Sequence, residues 1–173
     1  MIKRFLALSL ALVLLLCAGC VPSNSSESNT QVEIIQIDPS LVDAITENWV
    51  ALEMAFQSTK TYNTSKVEQF FVDMDVVFTH RESGETLTIP SFWDGDNLFA
   101  VRFAPTQAGL WDYKTICETD ESLDGIVGTI GSNTYLGELD VYKHGFVKTD
   151  GKKYFVYDDG KPFFYIGDTN KFA

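Results

Sequence analysis

Cysteine, histidine and positive charge are all scarce in this 173-residue chain. It has 3 cysteines, Cys17, Cys20 and Cys117, and 2 histidines, His80 and His144. With Cys17 removed in processing and Cys20 modified, Cys117 stands alone, so an intramolecular disulfide is excluded and the core must hold by packing. Neither histidine has a Cys, His or Glu at ligand spacing, so no metal is expected, and no other cofactor. Both read as surface or hydrogen-bonding residues. With 24 acids against 13 Lys and Arg, the formal charge is −11. Such a surface repels phosphate, which argues against nucleic acid and against clinging to anionic lipid. A Gly-rich phosphate loop, a G-x-S-x-G elbow and a repeat of about 20–50 residues are also missing, which removes the enzyme classes and solenoids they signal.

No long apolar run is present either. The longest, residues 5–16, is too short for a bilayer, which takes about 20 apolar residues. It follows Lys3 and Arg4 and ends at Cys17-Ala18-Gly19-Cys20. A basic start, a short apolar core and small closing residues make residues 1–19 a secretory signal. The small residues before Cys20 resemble a bacterial lipobox, with Cys17 where leucine is usual. That resemblance implies cleavage before Cys20, a lipid on its sulfur, and a secreted, membrane-anchored lipoprotein on the extracytoplasmic side. Residues 20–32, rich in Ser and Asn, read as a disordered linker.

What is abundant is alternation. In residues 49–56, Val50, Leu52, Met54 and Phe56 alternate with Trp49, Ala51, Glu53 and Ala55, which is period two and predicts a half-buried strand. Residues 70–78 repeat it, with Phe70, Val72, Met74, Val76 and Phe78 on one face. Ser83-Gly84-Glu85 then turns the chain into a strand over residues 86–89. Residues 90–97 read as a turn-rich connection, followed by strands at 98–103 and 109–117. Weaker strands are expected at 124–130 and 135–142, and a hairpin at 152–157 and 162–167. Only residues 40–47 could start a helix. Many short strands about 8–12 residues apart predict an all-β, immunoglobulin-like or fibronectin-like sandwich over residues 33–142.

Several of these segments follow a known pattern. Trp49, Glu53, Phe56 and Tyr62-Asn63, the strand at 70–78, Phe92-Trp93-Asp94-Gly95, Val101-Arg102-Phe103-Ala104-Pro105 and Gly109-Leu110-Trp111-Asp112-Tyr113 resemble domain-of-unknown-function family 5060 over residues 45–117. This family is a β-sandwich at the N-terminus of secreted glycoside hydrolases. Farther on, His144-Gly145-Phe146-Val147, Tyr154-Phe155, Asp159-Gly160-Lys161-Pro162-Phe163-Phe164 and Gly167-Asp168-Thr169 are similar to the entry into an apiosidase-like (β/α)₈ domain. The resemblance implies that residues 143–173 are a hairpin stub leading to a barrel strand. A barrel needs about 250 residues, with active groups on several strand ends. The expectation is therefore a non-catalytic accessory module, truncated before its catalytic domain, with a glycoside hydrolase domain and a polysaccharide or oligosaccharide as partners. A spacer or adhesion module and an inactive remnant are the rival readings.

Candidate sugar contacts are Phe92, Trp93, Asp94 and Asp96. Flat rings stack on the C–H faces of pyranoses while neighbouring carboxylates accept from sugar hydroxyls. Trp111 and Tyr113 carry the same chemistry, but with Thr115 and Cys117 they alternate on one strand face, so Trp111 is assigned to the core. Cys117 likewise reads as a small buried hydrophobe. Asp73 and Asp75 lie about 6.5–7 Å apart by strand rise, within the range for inverting glycosidases. Both approach from one side, however, and a solvated strand face is the better reading. Asp94-Gly95-Asp96-Asn97 fails the calcium-loop pattern at Leu98 and Phe99. Arg102, within an apolar strand, is expected to pair with Glu53 or an aspartate across the sheet.

Overall fold

The computed structural model describes residues 34–62, 68–165 and 167. The signal segment 1–19, the lipid site Cys20, the linker 20–32, Asn63, Asp168 and Thr169 lie outside the described residues. In chain order the main strands are β1 (Ala44–Glu47), β2 (Leu52–Gln57), β3 (Met74–His80), β4 (Thr86–Pro90), β5 (Phe92–Gly95), β6 (Leu98–Phe103), β7 (Gly109–Cys117) and β8 (Val127–Asn133). One sheet has the order β1-β8-β7-β3-β4 and the other β2-β6-β5. Pairing is antiparallel except between β1 and β8, which run parallel.

The alternation that marks the strands also builds the core. Met74, Val76 and Phe78 of β3 are buried while Asp75, Val77 and Thr79 are only half-buried. From the other sheet Phe99, Val101 and Phe103 of β6 point inward. The two rows meet where Phe78 stacks on Phe103, ring centroids 3.8 Å apart. Trp111 is fully buried, meets Phe103 edge-on, and donates its indole N–H to the Gln107 carbonyl at 3.0 Å. Burying one large apolar side chain contributes about 1.5–3 kcal/mol, so this row supplies much of the driving force. The fold is an all-β sandwich.

Strand boundaries differ from expectation in several places. Residues 40–47 hold a short 3₁₀ turn (Pro39–Leu41) and then β1, because pairing with β8 outweighs local helix tendency. The alternation at 70–78 begins only at Met74. Phe70 and Phe71 sit on a 3₁₀ turn (Glu68–Phe71), where the two-residue period no longer applies. The turn-rich stretch 90–97 contains β5, paired to β6 with a register shift between Trp93 and Gly95. Residues 135–142 form no strand but lead into α1 (Asp140–Lys143). Trp49 leaves the strand pattern altogether, with φ of 67° in the turn between β1 and β2.

The last segment makes a small antiparallel sheet of β9 (Lys148–Thr149), β10 (Phe155–Val156) and β11 (Pro162–Phe163). It touches the sandwich through Trp49. That ring meets Phe146 edge-on at 4.9 Å, and the Trp49 N–H donates to the Pro105 carbonyl at 2.7 Å. Gly145 (φ 78°) passes so close to Trp49 and Asp158 that a side chain there would collide with both. A bulky residue at positive φ costs of order 1–3 kcal/mol and persists only where its surroundings fix it.

Candidate functional site

Strand β5 is the edge of the three-stranded sheet, and its pleat splits the four candidate sugar contacts. Phe92 pairs with Ala100 and shares the outer face with Arg102, whose guanidinium lies 4.8 Å from the Phe92 ring centre. Arg102 also donates from Nε to Glu53 at 2.8 Å, the expected cross-sheet pair. Trp93 pairs with Phe99 and turns to the opposite face, half-buried against the core. Its indole N–H donates to the Asp96 carbonyl at 3.1 Å, which fixes the ring over the β5–β6 turn. Asp94 and Asp96 are exposed. The four residues are thus neighbours in sequence but do not present one flat platform.

The ring beside Trp93 is one that periodicity placed in the core. Phe70 meets Trp93 edge-on, centroids 6.2 Å apart and planes at 79°. Phe70 is 69% exposed and the adjacent Phe71 72%. Between Glu68 and Phe70, Gln69 is buried, and neither of its amide atoms has a hydrogen-bond partner among the described residues. Reading Phe70 as the first inward residue of a strand concealed this cluster. The missed signal was the doublet Phe70-Phe71, since adjacent strand residues cannot both face inward.

The other titratable groups have structural explanations. Asp73 is exposed and Asp75 half-buried, and both line a shallow depression of about 320 Å³ with Ile116, Glu118 and Thr119. Asp73 stands just before β3 and Asp75 within it, and both line the same open depression. Cys117 is buried. His80 is buried too, at the end of β3: Nε2 donates to the Ala108 carbonyl at 3.1 Å, and Nδ1 accepts from the Ser83 N–H at 3.2 Å. Among the described residues, no group of three or more His, Cys, Asp or Glu could hold a metal ion.

Two polar clusters were not anticipated. Asp120, buried, accepts from Ser58 Oγ and Tyr62 OH, each at 2.6 Å, and from the Ser122 N–H at 3.1 Å and Oγ at 2.8 Å. Burial pushes its carboxyl up, but the hydrogen bonds from Ser58, Tyr62 and Ser122 outweigh that and hold it well below the usual range. Burial, with the Asp120 bond next, pushes the Tyr62 phenol up to about 12. The cluster clips the loop after β2 to the loop after β7. In the C-terminal segment, His144 Nδ1 lies 2.6 Å from Asp159 Oδ2, and Lys161 Nζ donates to His144 Nε2 at 2.8 Å. The Lys161 backbone N–H, then His144, hold the Asp159 carboxyl below its ordinary value. This ties α1 to the β10–β11 turn.

Around that tie the surface is apolar. Tyr154 (72% exposed), Phe155, Phe164 (85%) and Tyr165 (75%) are all exposed, on or directly beside the two-residue strands β10 and β11.

The family model for DUF5060, a domain of unknown function, matches residues 45–118. Among solved structures, the chain resembles a crystal structure of a candidate glycoside hydrolase from Bacteroides vulgatus, with 29% identity and a TM-score of 0.54. The match covers 70% of this chain and 21% of that one. No curated protein matches the chain.

Proposed function

Residues 45–118 match the DUF5060 family model, and from that similarity we propose that the chain serves as the non-catalytic accessory module of a secreted glycoside hydrolase. The observation that carries this reading is the C-terminal sheet. Exposed aromatics of that size on and beside strands of two residues fit a surface that another domain covers. The similarity to a glycoside hydrolase more than four times longer than the matching stretch supplies the kind of partner. Trp49, held at positive φ between Pro105 and Phe146, sets the direction in which the sheet leaves the sandwich.

The non-catalytic part of the reading is supported by the carboxylates. Glycoside hydrolysis needs two carboxyl groups on opposite sides of the scissile bond. Among the described residues, Asp73 and Asp75 line one depression together, two positions apart in sequence, and the buried Asp120 is closed off by its own hydrogen bonds. Purified full chain, incubated with plant and bacterial polysaccharides, is expected to release no reducing ends. Turnover that persists through purification to homogeneity would sink the reading. Anchoring through Cys20 belongs to the same proposal. Metabolic labelling with a fatty acid should mark the chain and be lost in Cys20→Ala.

A further inference from the structure

We infer that Phe70 and Trp93 form a stacking site for a neutral glycan. The inference rests on the glycoside-hydrolase association above but not on docking of the C-terminal sheet. Phe70 and Phe71 forgo burial that is worth about 1.5–3 kcal/mol each for a large apolar side chain. The same turn buries Gln69 with its amide unpartnered, a further cost of about 1–3 kcal/mol. A turn that breaks two stability rules within three residues is shaped for something other than stability.

The geometry suits a sugar. Trp93 is fixed by its bond to the Asp96 carbonyl and braces Phe70 edge-on, so the Phe70 face is held ready for a ligand rather than ordered on binding. An aromatic face takes the C–H side of a pyranose, and the exposed Asp96 carboxylate on the adjoining turn can accept from its hydroxyls. Charge selects among glycans. Asp94 and Asp96 follow Trp93 and are both exposed, and the chain carries −11 overall, while the cations nearest in the fold sit elsewhere: Lys60 lines a depression with Phe71, and Arg102 lies over Phe92 on the opposite face of β5 from Trp93. A uronate or sulfated chain would be repelled, whereas an uncharged one would not.

Isothermal titration of the full chain in mild detergent tests this, using xylan-, cellulose- and mannan-derived hexasaccharides beside an oligogalacturonate. At least one neutral series should bind and the oligogalacturonate should not. Phe70→Ala and Trp93→Ala should each weaken binding by about tenfold or more. Phe70→Ala should leave the melting temperature unchanged, since its ring is mostly exposed, which separates lost contact from lost fold. Phe164→Ala, on the C-terminal sheet, should bind as the unaltered chain does. No binding of any neutral hexasaccharide, equal binding of the charged one, or binding indifferent to Phe70→Ala would each overturn the site.

Discussion

Asp120 shows how one side chain can hold two loops. Its oxygens take four protein hydrogen bonds, from donors both 58 and 62 residues away and from its neighbour Ser122. In Asp120→Asn one acceptor oxygen becomes an NH₂ facing hydroxyls that must then reorient. That should cost about 2 kcal/mol, the scale of hydrogen bonds to a charged group, and read as a lower urea midpoint. The sign with pH follows from the lowered carboxyl. Stability from a depressed aspartate is fully present above its unfolded value, about 3.9, and fades as pH falls below it. The gap between wild type and Asp120→Asn should therefore narrow between pH 5 and pH 2 (about that window). An unchanged gap would mean that the carboxylate is not the group at work. Gly109 makes a different point. Its φ is 133°, and a methyl there would drive into the His80 ring, a buried side chain already bonded on both nitrogens. Gly109→Ala should destabilise by more than the ~1 kcal/mol of an unfavourable backbone alone. Thermal melting would check it.

Among the elements, β6 and β7 could be read from the sequence to the residue, because each is a run of strand-forming residues bounded by the turn signals Asn97, Pro105 and Gly109. β1 could not. Its residues carry a helix-start pattern, and only the parallel partner β8, more than eighty residues later, makes them a strand. Nor could β5, since Trp93-Asp94-Gly95-Asp96-Asn97 has the composition of a turn, and the true turn begins only at Asp96, φ 46°. The core position of Trp111 and the Arg102–Glu53 pair were legible because each depends on strand period alone. The Phe70–Trp93 contact was not, because it joins a 3₁₀ turn to a strand edge in the other sheet. These differences have a dynamic consequence. β3 and β7 pair over seven residues within the core, whereas β10 pairs with β11 and with β9 over two each. Amide exchange should be slowest in β3, β6 and β7. In β9, β10 and β11 it should be faster by orders of magnitude, through local opening. Equal protection in both regions would show that the small sheet is stable on its own.

At the scale of the whole molecule, the sandwich has a closed interior while the C-terminal sheet leaves large aromatic rings without cover. Tyr154, Phe155, Phe164 and Tyr165 are the kind of aromatic anchors that dominate interfaces when a partner desolvates them. A stable contact needs about 1,200–2,000 Å² in total, more than four rings provide. Exposed Leu136, Leu139, Val141 and Val147 in the preceding segment extend the apolar surface. The test uses the Bacteroides vulgatus protein with its matching fifth removed, mixed with the full chain. A one-to-one complex should form in light scattering, and amides at 154–165 should gain protection. Because Phe164 and Tyr165 are mostly exposed, Phe164→Asp with Tyr165→Asp should leave the sandwich folded. It should nonetheless weaken the complex by at least about tenfold, since an aspartate carried into an apolar contact stays charged and unpaired. Phe70→Ala should not. If the pair of aspartates left the complex intact, the rings of the small sheet would have no part in holding the two pieces together, and the accessory reading would lose the observation it stands on.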